Sequence, residues 1–375
     1  MLYKQFRGTG EKLSCLGLGT MRLPTTGPER DAPIDEERAQ AIVDRAIALG
    51  VNYFDTAYMY HGGKSEGFIG RALAKYPRES YNLVSKMPGF MAGSREGVYR
   101  IFNEQLERCG VDYFDFYLCH NVNEETIEQY FDYDVIGVLT ELKAQGRIRH
   151  LGFSSHGKPE TLRRFVQAYD GWEFAQIQLN YLDWTLQDAK TQYEILTEAG
   201  LPVMVMEPCR GGRLADLGDE ANAILKAAEP ERSVASWAFR FVQSLPNVQV
   251  VLSGMNSLAQ LEENAAIFSE DKALTPEETE TAFAAGAELL RRFTVPCTAC
   301  RYCDACPAGI DIPAVLETYN AWSLSHSPMR LAALKESDQP GPADCIGCGA
   351  CFAHCPQGIH TPEIMQELAA AMEKA

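Results

Sequence analysis

Pro202-Val203-Met204-Val205-Met206 is apolar at every position. Successive side chains of a strand point to opposite faces, so a strand with no polar alternate is covered on both sides, as buried parallel strands are. Seven more runs resemble it: Leu13–Gly19, Val51–Asp55, Tyr81–Lys86, Phe114–His120, Ile148–Ser154, Phe174–Asn180 and Val248–Ser253. Segments with helical periodicity begin near Asp35, Ser65, Ser94, Tyr133, Pro159, Leu186, Arg232 and Leu258, one after each run. Eight β–α units in about 260 residues predict an α/β fold of the (β/α)8 TIM-barrel type. The alternative on pattern alone is an open doubly wound sheet.

Outward from the barrel, Tyr3–Phe6, a Gly8-Thr9-Gly10 turn and Lys12–Ser14 read as a small hairpin ahead of the first strand. An acidic, Ala-rich insert, Leu214–Pro230, reads as a short helix over the barrel mouth. Thr275-Pro276-Glu277-Glu278 is a helix start, with Thr at the cap and Pro at the first position; the helix is expected to run to about Phe293. The expected division is a barrel over 1–270, a linker helix over 271–296 and a cysteine-rich domain over 297–375.

The 375 residues are 46% hydrophobic and 23% charged, ordinary values for a globular chain. The net charge of −17 disfavours nucleic acid and anionic membrane surfaces as partners. No run approaches the roughly 18 apolar residues of a membrane span, and Met1–Arg7 lacks the apolar core of a signal peptide. The expected location is cytoplasmic. In that compartment clustered cysteines indicate metal rather than disulfides, and eight of the 12 cysteines fall at or after Cys297.

Those eight form two motifs, Cys297-x2-Cys300-x2-Cys303-x2-Cys306-Pro307 and Cys345-x2-Cys348-x2-Cys351-x3-Cys355-Pro356. The second has the bacterial ferredoxin spacing, in which three cysteines hold one [4Fe–4S] cluster and the fourth reaches the other. Structural zinc more often shows two separated pairs than two quartets ending in Cys-Pro. The first motif is one residue shorter before its fourth cysteine. The short gap is tolerable if Cys306 serves the opposite cluster and tighter if it must close its own. Both motifs continue as Gly-Ile-x-x-Pro into a helix. The segment resembles the mainly helical two-cluster ferredoxin module. That resemblance implies Cys297, Cys300, Cys303 and Cys355 on one cluster and Cys345, Cys348, Cys351 and Cys306 on the other.

In such a barrel the chemistry sits at the C-terminal ends of the strands. The second run ends in Asp55 and leads to Tyr60, the third ends in Lys86 and the fourth in His120. A phenol has a reference pKa of about 10, too high for efficient proton donation at neutral pH. A nearby ammonium favours the phenolate, an Asp paired with the Lys keeps it charged, and a His orients a substrate oxygen. Singly each residue has a bland reading as a helix cap, a solvated lysine or a core histidine. Together, at consecutive strand ends, they read as an active site for proton delivery to a carbonyl oxygen.

Gly50-Val51-Asn52-Tyr53-Phe54-Asp55-Thr56-Ala57-x-x-Tyr60, with Glu66, Lys86 and His120, resembles the aldo/keto reductase family over about residues 1–268. The resemblance implies Tyr60 as general acid, Lys86 and Asp55 as its tuning pair, His120 as substrate orienter, and NAD(H) or NADP(H) across the mouth. It further implies cofactor contacts from Gly19 and Thr20, from Ser154 and Ser155, from Gln178, from Arg210, Gly211 and Arg213, and from Gly254, Glu263 and Asn264. The stretch Gly254–Asn264 carries no Lys or Arg, whereas the family's NADP-binding members place a cation there. The expected function is an oxidoreductase acting on a small carbonyl or alcohol, coupled to [4Fe–4S] clusters and thereby to a redox partner protein. Hydride moves two electrons and a cluster one, so a flavin would be the usual go-between; no flavin fingerprint is present. The alternatives are a dinucleotide-binding redox sensor that does not turn over and an electron carrier fused to an inert barrel.

Overall fold

The computed structural model describes residues 1–27, 32–291, 294–323, 326 and 328–374. Ten strands run in chain order: β1 (Tyr3–Gln5), β2 (Lys12–Ser14), β3 (Leu16–Gly19), β4 (Tyr53–Asp55), β5 (Asn82–Met87), β6 (Phe114–Val122), β7 (Ile148–Ser155), β8 (Phe174–Gln178), β9 (Val203–Met206) and β10 (Val248–Ser253). β3 to β10 close into an eight-stranded barrel in sequential order, β10 returning to β3, with every pairing parallel. All eight C-terminal strand ends therefore open on one rim. The strands are largely buried on both faces, which is why apolar residues dominate them, with exceptions such as Gln176 and Gln178 on β8 and Arg149 on β7.

β1 and β2 form the expected antiparallel hairpin, with Tyr3 opposite Ser14. Phe6, fully buried in its turn, meets Phe116, Phe174 and His150 edge-on at centroid distances of 5.1, 6.3 and 4.8 Å. His150 and Phe174 stand near the starts of β7 and β8, so the hairpin closes the rim opposite the C-terminal strand ends.

The chain divides into two compact units, Met1–Pro208 with Ser236–Thr275, and Cys209–Ala235 with Pro276–Ala375. In the second unit the insert after β9 forms the helix Asp219–Ala228, which packs along the helix Pro276–Leu290. Composition revealed that insert's helix but not its partner. The expected helix end near Phe293 lies outside the described residues.

The rest of the second unit is helical. Ile312–Ser323 and Thr361–Lys374 each follow a Gly-Ile-x-x-Pro turn, with Gly309 at φ 71° and Gly358 at φ 60°; a proline in the first helical turn has no needed N–H to lose. Tyr319 Oη donates to Glu367 Oε2 at 2.8 Å and ties the two helices together. Asn320 brackets Val295, accepting from its N–H at 2.7 Å and donating to its carbonyl at 2.9 Å, which anchors the chain two residues before Cys297. Among the described residues no helix is long and apolar enough to cross a membrane.

Candidate functional site

At the rim of the barrel, β4 ends in Asp55 and β5 carries Lys86 one residue from its end. Lys86 Nζ donates to Asp55 Oδ1 at 2.5 Å, to the Thr56 carbonyl at 2.8 Å and to Tyr60 Oη at 3.4 Å. Tyr60 opens a tight turn whose next residues, His61 and Gly62, are left-handed (φ 52° and 62°). That turn folds the tyrosine back over the lysine. His120, near the end of β6, stands edge-on to the Tyr60 ring at 6.0 Å. The four expected residues are thus brought together, and all are buried.

Burial sets the electrostatics. It pushes the Lys86 ammonium below its usual range, while Asp55 and, behind it, Glu66 pull it back up. His120 is held well below the ordinary imidazole value by burial and then by the Lys86 cation, so it is neutral near pH 7. Glu66 supports the pair from behind: its Oε1 accepts from Ser85 Oγ at 2.6 Å and Gln105 Nε2 at 2.5 Å, and Gln105 also donates to the Lys86 carbonyl at 3.1 Å. A hydroxyl chain joins the strand ends, Ser65 Oγ lying 2.9 Å from Thr56 and 2.7 Å from Thr20, which donates to the Asp55 carbonyl at 3.0 Å.

Most of the expected dinucleotide contacts lie on the same rim. Gly19 ends β3 and Thr20 follows it. Ser154 and Ser155 end β7, where Ser154 Oγ accepts from the Asn121 N–H at 2.9 Å and Ser155 Oγ donates to the Val122 carbonyl at 3.1 Å. Gln178 ends β8 and donates to Asp183 at 2.7 Å. Gly254 follows β10, and on the next helix Asn264 donates to Ser253 Oγ at 3.1 Å while Glu263 is exposed. These buried amides and hydroxyls suit the hydrogen-bonding groups of a nicotinamide dinucleotide. Arg210, Gly211 and Arg213 follow β9 and group with the second unit, where Arg210 Nη2 donates to Gln357 Oε1 at 2.9 Å.

Two residues at this rim escaped the sequence reading. His156, just past β7, feels the Lys86 cation, and burial together with that cation pushes it down to about 4. Arg22 comes from the turn after β3, yet a Cβ on Gly254 would meet its side chain at 3.1 Å; its guanidinium pairs with Glu207 at 3.5 Å. A signal for His156 was its place directly after Ser154-Ser155. Nothing local signals Arg22.

In the second unit Cys297, Cys300, Cys303 and Cys355 line a cavity of about 330 Å3. Cys306, Cys345, Cys348 and Cys351 line another of about 360 Å3, and Cys351 reaches both. The fourth cysteine of each motif thus lies with the first three of the other. No His, Asp or Glu lines either cavity, so each offers the all-thiolate set that iron–sulfur clusters take. Among the described residues no three His, Cys, Asp or Glu side chains are gathered as a single ion needs.

Comparison with known proteins agrees with both units. The model of the aldo/keto reductase family matches residues 15–284, and that of a 4Fe-4S dicluster domain matches residues 296–359. L-galactose dehydrogenase of Arabidopsis thaliana is 28% identical over 310 residues, covering 77% of this chain and 95% of its own. The NADH-specific methylglyoxal reductase of Escherichia coli is 27% identical over 221 residues, covering 54% of this chain and 65% of its own. The aldo-keto reductase AKR11C1 of Bacillus halodurans, in its holo form, superposes with a TM-score of 0.63 at 25% identity over 76% of this chain and 96% of its own.

Proposed function

The chain belongs to the aldo/keto reductase family, and from that premise we propose that this oxidoreductase interconverts a small carbonyl and its alcohol at the barrel mouth and exchanges electrons through two [4Fe–4S] clusters in its C-terminal domain. The contact that carries the first half is Lys86 Nζ, 2.5 Å from Asp55 and 3.4 Å from Tyr60 Oη.

Tyr60 Oη holds the proton delivered to the carbonyl oxygen. Lys86 beside it favours the phenolate left behind, and Asp55 keeps Lys86 charged in a buried place where an unpaired ammonium would lose its proton. Neutral His120 donates a hydrogen bond that orients the substrate oxygen over Tyr60. Thr20, Ser154, Ser155, Gln178 and Asn264 would hold a nicotinamide dinucleotide across the mouth. Such a cofactor supplies the hydride to the carbonyl carbon, and the clusters supply single electrons. Cys297, Cys300, Cys303 and Cys355 would ligate one cluster and Cys306, Cys345, Cys348 and Cys351 the other.

Replacing Tyr60 by Phe removes the proton and leaves the ring. With methylglyoxal and small aldehydes as probes, Tyr60→Phe should slow reduction by about 10²–10⁴-fold, with NADH binding nearly unchanged. Unchanged turnover would take the proton-donor role from Tyr60.

A further inference from the structure

The turn after β9, Cys209-Arg210-Gly211-Gly212-Arg213, sits in the second unit with the cysteines. Arg210 is 1% exposed, one of the largest fully buried side chains in the protein. A buried guanidinium is costly unless something anionic or strongly polar receives it. Its backbone lies at φ 48°, followed by Gly211 at 66° and Gly212 at 95°. A non-glycine residue is strained in such a conformation and keeps it where the surrounding structure holds it there.

Arg210 is linked to the first cysteine cavity through Gln357. Its Nη2 donates at 2.9 Å to Gln357 Oε1, and Gln357 follows Cys355-Pro356 and lines that cavity with Cys297, Cys300 and Cys303. Arg301, which does line that cavity, is 40% exposed and shared between Asp304 at 3.5 Å and Asp311 at 3.4 Å. The second cavity is lined by no Lys, Arg or His, and its Cys348 is exposed. Among the described residues, a buried cation is thus bonded to the lining of one cysteine cavity, and no cation lines the other.

We infer that the guanidinium of Arg210, aimed by Gln357, tunes the cluster held by Cys297, Cys300, Cys303 and Cys355 to a higher reduction potential than its neighbour. The inference rests on the two-cluster reading. Reduction adds one electron, and so one negative charge, to a cluster already surrounded by four thiolates. Burial opposes that charge, whereas a cation fixed nearby in a low-dielectric interior favours it, and net charge and hydrogen bonding are what set such potentials. An electron arriving at the exposed quartet then runs downhill to the Arg210 quartet.

The test is an anaerobic, mediator-equilibrated redox titration with dithionite as reductant, read by electron paramagnetic resonance, on the full chain with iron and sulfide assayed beforehand. Wild type should show two separated midpoints. Arg210→Met should lower the higher one by at least about tenfold in its reduction equilibrium, about 59 mV for one electron, and leave the other in place. Arg210→Lys, which keeps the charge, should restore most of the shift. Gln357→Glu, nearly isosteric, neutralises the guanidinium without removing it and should lower the same midpoint even if Arg210→Met does not retain iron. Unmoved midpoints in iron-replete Arg210→Met or Gln357→Glu would overturn the inference, as would an Arg210→Lys shift equal to that of Arg210→Met. Wild-type protein without iron–sulfur signals would instead overturn the two-cluster reading beneath it.

Discussion

A 2′-phosphate distinguishes NADP from NAD, and a buried or half-buried dianion calls for charge-assisted donors. The loop and helix after β10 offer none: Asn256, Ser257 and Gln260 are neutral, Glu263 is exposed, and Glu262 is paired with Arg45 at 3.0 Å. NADH is therefore expected to bind at least as tightly as NADPH, as paired dissociation constants would report. A strong preference for NADPH would contradict this and direct attention to Arg22, the cation packed on Gly254. The tetrad was legible in the sequence because each member sits within a few residues of a strand end, and strand ends can be counted. Arg22, Gln105 and the placement of Arg210 were not legible. Their long side chains act far along the chain from their own positions, on Gly254, Glu66 and Gln357 respectively.

Among the elements, the hairpin β1–β2 and the starts of β7 and β8 are joined by an ionic clip. His150 lies 2.8 Å from both Glu11 and Glu173, and Glu173 also pairs with Lys143. Burial alone would lower His150, but the two carboxylates outweigh it and lift it to about 8. A raised pKa means that the folded state holds the proton more tightly than the unfolded chain. The clip's contribution is thus complete below about pH 6.5 and is lost as pH rises through about 8. Its size is roughly 2 kcal/mol at most. The gap in melting temperature between wild type and His150→Gln should be wide at pH 6 and narrow at pH 8.5; an equal gap at both would remove the clip. Seven of the eight barrel strands fell within two residues of their expected bounds, since apolar runs mark them; the first, expected from Leu13, begins at Leu16 because Lys12–Ser14 pairs in the hairpin instead. The helix Ile127–Asp132 was missed because left-handed Asp134 (φ 50°) separates it from Val135–Ala144, where a single helix start was expected.

At the scale of the whole molecule, the cysteine pattern carried most of the information. Spacing alone divided eight thiols into two sequential motifs, and the exchange of their fourth cysteines followed only from the resemblance to a two-cluster ferredoxin module, whereas the attachment of the insert Cys209–Ala235 to the same unit depends on tertiary packing that no local pattern records. Protein purified without oxygen should contain close to eight iron and eight sulfide per chain; four would mean that one quartet is idle. The central claim is that the barrel chemistry and the clusters share electrons. NADH gives up two electrons and a proton as it becomes NAD, and two clusters can accept one electron each. The measurement that tests this most directly is an anaerobic titration of the eight-iron protein with NADH, with cluster absorbance and aldehyde reduction followed in the same sample. If barrel and clusters share electrons, NADH alone bleaches the clusters, with two cluster reductions for each NADH oxidised. Oxidation of NADH by aldehyde, with cluster absorbance unmoved by NADH throughout, would contradict it.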